Sequence, residues 1–402
     1  MNILFLTLAF SNSRGIYMDL MQEMKARGNE VYVVTPIERK YKKETSLETI
    51  NGINVLRVKT GNIQKVNKIE KGISTLLLEH QFIKGIDKYF CNIKFDLVVY
   101  STPPITFSNA VNFVKKRDSA KTYLMLKDIF PQNAVDIEMM RENGILYKFF
   151  RKKEISLYNI SDYIGCMSQG NVEFLLKNND FITKDKVEIL PNTITPLKLD
   201  KPNKEEKNSI RNKHNIPIDK TVLVYGGNLG KPQGIDFIID CIKENETRDD
   251  TFILIIGSGT DYDKIDSYTR ENNLKNTAIY SYMPKEDYDN IIKACDIGLV
   301  FLDNRFTIPN IPSRILSYME CSMPIVAAID TNTDLGRILN SGNFGLWSES
   351  GKVKDFYKNV DALCNNKVKL KEMGKSGRVY LEKNYTSTNS YNIISNHFKD
   401  VN

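Results

Sequence analysis

The chain has 402 residues, of which 41% are hydrophobic and 26% are charged, and this balance is typical of a folded globular protein. Its formal net charge of +7 is modest for this length. The basic residues do not gather into one stripe with stacking aromatics, which argues against a nucleic-acid-binding protein. The length indicates two domains, and no run approaches the ~20 apolar residues of a membrane-spanning helix.

Cysteine and histidine usage narrows the chemistry further. The six cysteines lie far apart without a Cys-x-x-Cys pair, and the three histidines show no metal-binding spacing. These patterns favour free thiols in a reducing compartment, and they disfavour a zinc site and histidine-based catalysis. The first ten residues, MNILFLTLAF, indicate a buried strand and not a signal peptide, so we expect a cytoplasmic protein.

The first half of the chain alternates apolar runs with segments of helical periodicity, which predicts a parallel sheet covered by helices. Gly28 is expected to end the first helix. The predicted strands are 3–10, 31–36, 54–59, 95–101 and 122–130. The predicted helices are 16–27, 70–90, 106–117 and 146–160, and shorter elements follow at 163–168, 172–178 and 187–192.

The polar, charged segment 198–220 interrupts this alternation and is the best candidate for a linker or domain edge. A second alternation begins at residue 221, and the last ~50 residues have helical periodicity only. Two such blocks predict an α/β protein of two doubly wound domains that face a cleft. The predicted elements of the second block are 221–227, 235–245, 252–259, 262–272, 277–283, 287–296, 297–303, 313–322 and 324–330.

Ligands of open parallel sheets bind beyond the carboxyl ends of the strands, so the loops after strands are the candidate sites. Gly15 follows the first strand and either admits a ligand or makes the turn. The loop 224–235 is rich in glycine but has neither the Walker A nor the dinucleotide spacing. Its Gly227, Asn228 and Lys231 would suit a diphosphate, with backbone donors and a cation.

Two further loops follow strands of the second block. Gly257 and Gly259 lie in the first of them, and the Asp-x-Asp at 261–263 after it is better explained as a helix start than as a metal site. In the second, the stretch 310–326, Ser313 is a good N-cap, and Arg314 follows in the first turn.

Glu320 lies seven residues beyond Ser313, which is two turns or about 10 Å along the same helix face. Phosphates and ribose hydroxyls of a sugar nucleotide are spaced in this way. The alternative is a solvated Glu320, which its apolar neighbours make less favourable.

Five stretches together resemble a known family: SRGIYMDLMQEMKARGNEVYVVT, YLMLKDIFPQNAV, VEILPNTI, VYGGNLGKPQGI and NIPSRILSYMECSMPIVA. They resemble the retaining GT-B glycosyltransferases of family 4, especially bacterial enzymes that build capsule and O-antigen polysaccharides. The resemblance implies Rossmann-like domains at 1–195 and 196–380, with a C-terminal helix at 381–402 that packs back on the first. It also implies a UDP-sugar donor, a polyprenyl-diphosphate-linked or glycan acceptor, and no metal or other cofactor.

The resemblance assigns roles to individual residues. In the second domain Glu320 matches the ribose-binding glutamate, and Ser313 and Arg314, with Asn310 in the same stretch, match the diphosphate loop. Tyr282 and Met283 match the turn that holds the base.

In the first domain the resemblance points to two further places. Arg14 and Gly15 match a loop near the reacting centre, while Lys127 and Asp128 lie where members place a residue beside the donor sugar.

The chain departs from the family pattern at three positions. Pro312 stands where many members have a second glutamate, and Asn228 and Gln233 replace an Arg and a Lys of the phosphate loop. Lys231 and Arg314 are the cations that would then stabilise the leaving diphosphate, and Asp128 would position the acceptor or the donor sugar.

Three alternatives remain open at this point. The basic helix 148–159 interleaves charges with Phe149, Phe150 and Leu157, so the first domain either rests on anionic lipid as a peripheral membrane protein or has an ordinary solvated helix. A GT-B fold also serves nucleotide-sugar 2-epimerases, which the low histidine content disfavours. A non-catalytic partner subunit is the third alternative.

Overall fold

The computed structural model describes residues 1–63, 66–199, 202–281 and 283–398. The chain divides into two compact units, Met1–Thr195 with Thr386–Asn402, and Pro196–Tyr385. Within the described residues, none of the helices combines the length and the apolar run that crossing a bilayer requires.

The strands of the described residues form one sheet in each unit. In the first unit the order is β3-β4-β2-β1-β5-β6-β7-β8, parallel except for the antiparallel pair β3–β4. In the second unit the order is β11-β10-β9-β12-β13-β14, and every pair is parallel. The strands are β1 (Asn2–Leu6), β2 (Glu30–Glu38), β3 (Ser46–Ile50), β4 (Ile53–Thr60), β5 (Leu97–Ser101), β6 (Lys121–Leu126), β7 (Tyr163–Cys166), β8 (Val187–Ile189), β9 (Thr221–Asn228), β10 (Thr251–Ser258), β11 (Thr277–Tyr280), β12 (Ile297–Phe301), β13 (Ile325–Ile329) and β14 (Gly345–Glu349).

Helices connect these strands, as a parallel sheet requires. They are α1 (Ile16–Ala26), α2 (Lys68–Tyr89), α3 (Ser108–Asp118), α4 (Gln132–Asp136), α5 (Ile145–Ile160), α6 (Gln169–Lys177), α7 (Lys204–Lys213), α8 (Ile235–Asn245), α9 (Tyr262–Glu271), α10 (Lys285–Lys293), α11 (Ile315–Glu320), α12 (Leu335–Gly342), α13 (Val353–Cys364), α14 (Lys367–Asn384) and α15 (Ser387–Ser395). The alternation predicted from the sequence is confirmed in both units.

Burial explains why the alternation of strands and helices could be predicted from the sequence. Strands β5, β12 and β13 are buried at every position, because helices cover both faces of each parallel sheet. Such strands appear in the sequence as continuous apolar runs. The core of the first unit also takes in Ile394 and Phe398 from the end of the chain, which are 1% and 5% exposed.

One predicted strand was too long. The strand predicted over 122–130 ends at Leu126, because the N–H groups of Lys127 and Asp128 turn away from the sheet and donate to Thr102 Oγ1. Of the two interpretations of the segment 198–220, the domain edge is confirmed, since the second unit begins at Pro196. The segment is not a linker throughout, because it contains α7 with an Asn203–Glu206 capping box.

Helix α7 is also tied firmly to the second unit. Arg211 is only 3% exposed, and its Nη2 donates to Asp296 Oδ2 at 2.6 Å. Because Arg211 is buried and paired, the segment belongs to the packed body of the second unit.

Candidate functional site

The glycine-rich loops after β9 and β10 are held against each other by backbone packing. The two strands pair as far as Gly227 with Gly257 and Asn228 with Ser258. A Cβ at position 257 would lie 1.9 Å from the carbonyl oxygen of Gly227, and one at 259 would lie 2.0 Å from that of Leu229. Close backbone approach therefore accounts for both Gly257 and Gly259, which the sequence had placed among the substrate contacts.

Tyr318 fixes helix α11 to the end of this sheet. Its hydroxyl accepts from the Gly226 N–H at 3.1 Å and lies 3.2 Å from the carbonyl oxygens of Val224 and Leu299, which share its single proton. Gly298 leaves room for the ring, since a Cβ there would lie 2.4 Å from it. Tyr318 thus places α11 across β9 and β12, and the residues at both ends of the helix take their positions from it.

Arg314 occupies the N-cap position of α11, and its guanidinium group packs on the glycine loop. The predicted N-cap, Ser313, is instead exposed and outside the helix, so that prediction was wrong. The Arg314 guanidinium lies 4.1 Å from the centre of the Tyr225 ring, a cation–π contact. Gly227 has a φ of 137°, and a Cβ there would lie 3.2 Å from Arg314 Nη2. The backbone conformation at 227 therefore favours glycine, and the absence of a side chain lets the Arg314 guanidinium approach closely.

Two buried donors in the loop before α11 have no acceptor. Arg314 Nη1 and Asn310 Nδ2 are both buried and have no hydrogen-bond partner. The backbone of Asn310 is nevertheless held, because its N–H donates to Thr333 Oγ1 at 3.0 Å and its carbonyl accepts from that hydroxyl at 2.6 Å. A buried donor without an acceptor is costly, and these two groups have the chemistry to donate to the acceptor oxygens of a ligand.

Glu320 ends the same helix and is buried, with 8% exposure, which excludes the solvated alternative. Its Oε1 accepts from the backbone N–H of Leu197 at 2.8 Å. Six residues separate it from Arg314, which is roughly 9 Å along a helix. A carboxylate and a cation thus stand at opposite ends of α11.

Lys231 lies in a different environment from Arg314. It is exposed at the start of a short 3₁₀ helix, Lys231–Gln233, and lines a cavity of about 500 Å³ with Lys264 and Arg305. Arg314 and Glu320 do not line this cavity. Lys231 and Arg314, which were predicted to stabilise one diphosphate together, therefore do not line the same cavity.

The two neutral replacements in the phosphate loop hydrogen-bond to each other. Asn228 Nδ2 donates to Gln233 Oε1 at 3.0 Å, and the Gly230 N–H donates to the same oxygen at 3.1 Å. This closed pair shapes the loop without adding charge. Of the predicted base-binding turn, Tyr282 lies outside the described residues, and Met283 is partly buried just before α10.

In the first unit, Lys127 and Asp128 follow β6 at the carboxyl edge of the sheet. Asp128 Oδ1 accepts from Asn133 Nδ2 at 2.7 Å, while desolvation raises the pKa of this carboxyl to about 6. Lys127 Nζ lies 3.4 Å from the carbonyl oxygens of Leu190 and Pro191, and desolvation lowers its pKa to about 7. Perturbed acids and bases of this kind concentrate at functional sites.

Arg14 and Gly15 are organised by Asp19, which the sequence did not single out. Asp19 is 6% exposed and accepts from the N–H groups of Gly15 at 3.0 Å and Thr195 at 2.7 Å. Arg14 Nε lies 3.8 Å from Asp19 Oδ2, and Arg14 Nη2 donates to the Thr195 carbonyl. These contacts hold the loop at Arg14 and Gly15 against Thr195, which belongs to the same unit.

Part of the chain is similar to a known protein family, and its fold is similar to that of solved structures. Residues 206–380 match the family model described as glycosyl transferases group 1. A Pseudomonas aeruginosa protein named as glycosyltransferase WbjE is 22% identical over 293 residues, which are 72% of this chain and 71% of the relative. An Escherichia coli K12 protein named as the colanic acid biosynthesis glycosyl transferase WcaI is 21% identical over 253 residues, or 60% of each chain.

Among solved structures, Anabaena Alr3699/HepE in complex with UDP-glucose has a TM-score of 0.71 at 13% identity and covers 99% of both chains. At this identity the likeness establishes the fold, and not the substrate. The chain consists of two Rossmann-like units whose structural neighbours are GT-B proteins, and residues 206–380, which lie within the second unit, are similar to the glycosyl transferases group 1.

Proposed function

We propose that the protein is a retaining glycosyltransferase of family 4 that uses a UDP-sugar donor in bacterial surface-polysaccharide synthesis. The observation that carries the proposal is the pair of buried donors without acceptors, Asn310 Nδ2 and Arg314 Nη1, in the loop before α11. The oxygens of a nucleoside diphosphate would satisfy both. The UDP-glucose complex of the structural neighbour HepE supports a nucleotide of this class.

Within this proposal the residues of the second unit hold the donor. Arg314 binds the diphosphate and stabilises the charge that develops on it as the glycosidic bond to the donor sugar breaks. Glu320 accepts from the ribose hydroxyls with its carboxylate. Lys231, in its separate cavity, contributes only if the bound nucleotide or sugar extends to it.

The first unit is proposed to hold the acceptor. The acceptor oxygen attacks the anomeric carbon, the nucleoside diphosphate leaves, and the acceptor's proton is carried away on the departing phosphate. Asp128 positions the acceptor or donor sugar. The transferred sugar is proposed to be N-acetylated or deoxy-amino, and the acceptor a lipid-linked or free glycan at the cytoplasmic face of the membrane.

The proposal is tested first by nucleotide binding. UDP should raise the melting temperature of the protein by several degrees, while GDP and ADP should do so less, because binding to the folded state stabilises it. Glu320→Ala should abolish the UDP effect. Glu372→Ala removes an exposed carboxylate elsewhere in the second unit and should leave the effect unchanged. No UDP response in the unmodified protein would contradict the proposal.

A second pair of variants tests the diphosphate contact. Arg314→Lys removes the planar donor set and should weaken UDP binding about tenfold, measured by calorimetry. Arg270→Lys is the matched control, because Arg270 is exposed, pairs with Asp266 within α9 and does not line the cavity of Lys231. Equal losses in the two variants would remove Arg314 from the site. An epimerase would be recognised separately, since it would convert a UDP-sugar without any acceptor.

A further inference from the structure

The first unit contains an apolar cavity of about 560 Å³ at the carboxyl ends of β1, β2, β5 and β6. Its size is in the range of small-molecule sites. The walls consist mainly of hydrocarbon, from Leu8, Ile63, Pro104, Ile105, Phe130 and Phe150. An interior of this composition suits a hydrocarbon chain better than a sugar, whose hydroxyls would find few partners there.

One polar atom in this lining has no partner. Thr106 is 2% exposed, lines the cavity, and its Oγ1 makes no hydrogen bond. The lining carboxylate, Glu38, is already engaged, because it pairs with Lys40 at 3.0 Å and accepts from the Ile63 N–H at 2.8 Å. A single unsatisfied hydroxyl among apolar walls fits an amphiphile that is polar at one end.

The mouth of the cavity combines exposed apolar side chains with cations. Leu76 of α2 and Leu146 and Phe149 of α5 line it and are 52%, 63% and 40% exposed. Lys71 lines it too, one turn before Thr75 and Leu76 on α2. Exposed Lys152 lies three residues beyond Phe149, on the same side of α5. Apolar groups flanked by lysines are what an anionic lipid contacts.

The cavity adjoins the candidate acceptor-positioning residue. Thr102 Oγ1 donates to the carbonyl of Asp128 at 2.8 Å, and the wall residues Pro103 and Pro104 follow it directly. Phe130, on the opposite loop, is two residues beyond Asp128. A chain seated in the cavity would therefore leave its head group close to Asp128.

We propose that this cavity binds the hydrocarbon chain of a lipid phosphate that carries the acceptor glycan. The inference rests on the proposed function and decides between its two acceptor classes in favour of the lipid-linked one. The chain lies against Phe130 and Phe150, Thr106 meets the polar end, and Lys71 neutralises part of the phosphate charge.

Gly72 provides the test, because it lines the cavity and a Cβ built on it meets no atom within 4 Å. A Cβ is therefore accommodated at this position, so Gly72→Trp should place its ring system at the mouth, while Gly72→Ala leaves the mouth open. The probe is farnesyl phosphate, titrated calorimetrically below its micelle concentration into the full chain. We expect saturable binding that Gly72→Trp weakens at least about tenfold and Gly72→Ala leaves within about twofold. Equal binding by both variants, or no saturable binding, overturns the proposal.

Further measurements distinguish binding of a lipid phosphate in the cavity from binding of a simple anion and from adsorption to a lipid surface. Thr106→Val replaces the hydroxyl with a methyl group of the same shape and should weaken farnesyl phosphate about fivefold. Inorganic phosphate should not compete, and competition by it would assign the signal to a simple anion site. Binding to anionic phosphatidylglycerol vesicles that Gly72→Trp does not change, without farnesyl phosphate binding, would mean surface adsorption only and would overturn the cavity assignment.

The outcome can be distinguished from failure of the proposed function. UDP binding by the second unit is measured in the same Gly72 variants and does not involve this cavity. If the protein does not bind farnesyl phosphate but still binds UDP, the proposal that remains is a glycosyltransferase with a soluble glycan acceptor. Retention of lipid binding without a UDP response would remove the donor proposal instead.

Discussion

At the scale of single residues, the candidate sites combine groups that are unfavourable for folding. Arg314 and Asn310 bury donors without acceptors, and Asp128 and Lys127 are partly buried titratable groups. Desolvation shifts the pKa of Asp128 upward and that of Lys127 downward, so each resists its charged form. Such residues persist where function requires them, at a cost in stability. This cost can be measured as a function of pH.

Asp128→Asn should stabilise the first unit in a pH-dependent way. The folded-state pKa of about 6 lies above the ordinary value of 3.8, so the folded protein binds the proton more tightly. The penalty for ionising Asp128 is therefore absent at low pH, grows between pH 3.8 and 6, and is complete above pH 6. Asparagine keeps an oxygen to accept from Asn133. We expect a gain of about 1 to 3 kcal/mol at pH 8 that shrinks towards pH 4, measured by urea denaturation.

Lys127→Met is the control, because its effect on stability should depend on pH in the opposite direction. The folded-state pKa of Lys127, about 7, lies below the ordinary 10.5, so its penalty is complete below pH 7 and disappears as the pH rises towards 10.5. Methionine should therefore stabilise the protein at pH 6 and lose that advantage at higher pH. If both variants changed stability equally at all pH values, desolvation would not be the cause.

At the scale of secondary structure elements, α11 is the part on which the second unit's site depends. It has only six residues, Ile315–Glu320, so its own hydrogen bonds cannot fix its direction. Tyr318 fixes it instead, because its hydroxyl accepts from a backbone N–H of β9 and shares its one proton between carbonyl oxygens of β9 and β12. Arg314 and Glu320 are therefore placed by a residue that need not touch any substrate.

Tyr318→Phe should lower the free energy of unfolding and weaken nucleotide binding. The change keeps the ring against Gly298 and leaves the Gly226 N–H and two carbonyls with one partner fewer each. We expect a loss of about 1 to 3 kcal/mol in unfolding free energy and weaker UDP binding, by denaturation and calorimetry. Tyr41→Phe, at a tyrosine that is 59% exposed, should change neither. Unaltered UDP affinity in a destabilised Tyr318→Phe protein would limit Tyr318 to a folding role.

The elements also show what the sequence could predict and why. Both sheets were predictable because their central strands are buried on both faces and appear as unbroken apolar runs. Strand β3 (Ser46–Ile50) escaped prediction, since it is an exposed edge strand that contains few apolar residues. Helix α7 escaped because its burial depends on the ion pair of Arg211 with Asp296, 85 residues apart.

The same limit applies to the candidate site. Asn310, Arg314 and Glu320 were found from one continuous stretch. The contacts that organise them, through Tyr225 and Tyr318, join residues about 90 positions apart in the chain. Local spacing carries no information on such contacts, although a tyrosine next to paired glycines at a strand end was the available indication.

At the scale of the whole chain, the polypeptide passes from one unit to the other twice, after Thr195 and after Tyr385. The last segment belongs to the first unit, where α15 packs on α1 and Ser387 N–H donates to the Ile194 carbonyl at 3.0 Å. His397 Nε2 lies 2.9 Å from Glu188 Oε1 and stacks on Tyr163. The core of the first unit thus combines residues from the first part of the sequence with Ile394 and Phe398.

Phe398→Ala should therefore destabilise the first unit selectively. Phe398 is 5% exposed in the core that also contains Ile3, Val31 and Leu97, and truncation leaves a cavity there. We expect a loss of about 2 to 4 kcal/mol, the usual range for a large core side chain replaced by alanine. Hydrogen exchange should then speed up in β1 and β2, while β9 and β10 keep their protection, because the second unit has a separate core. Asn392→Ala, at an exposed position of α15, should leave exchange unchanged in both units. Equal loss of protection in β9 and β10 would mean that the two units unfold together, and stability could then no longer be assigned to each unit separately.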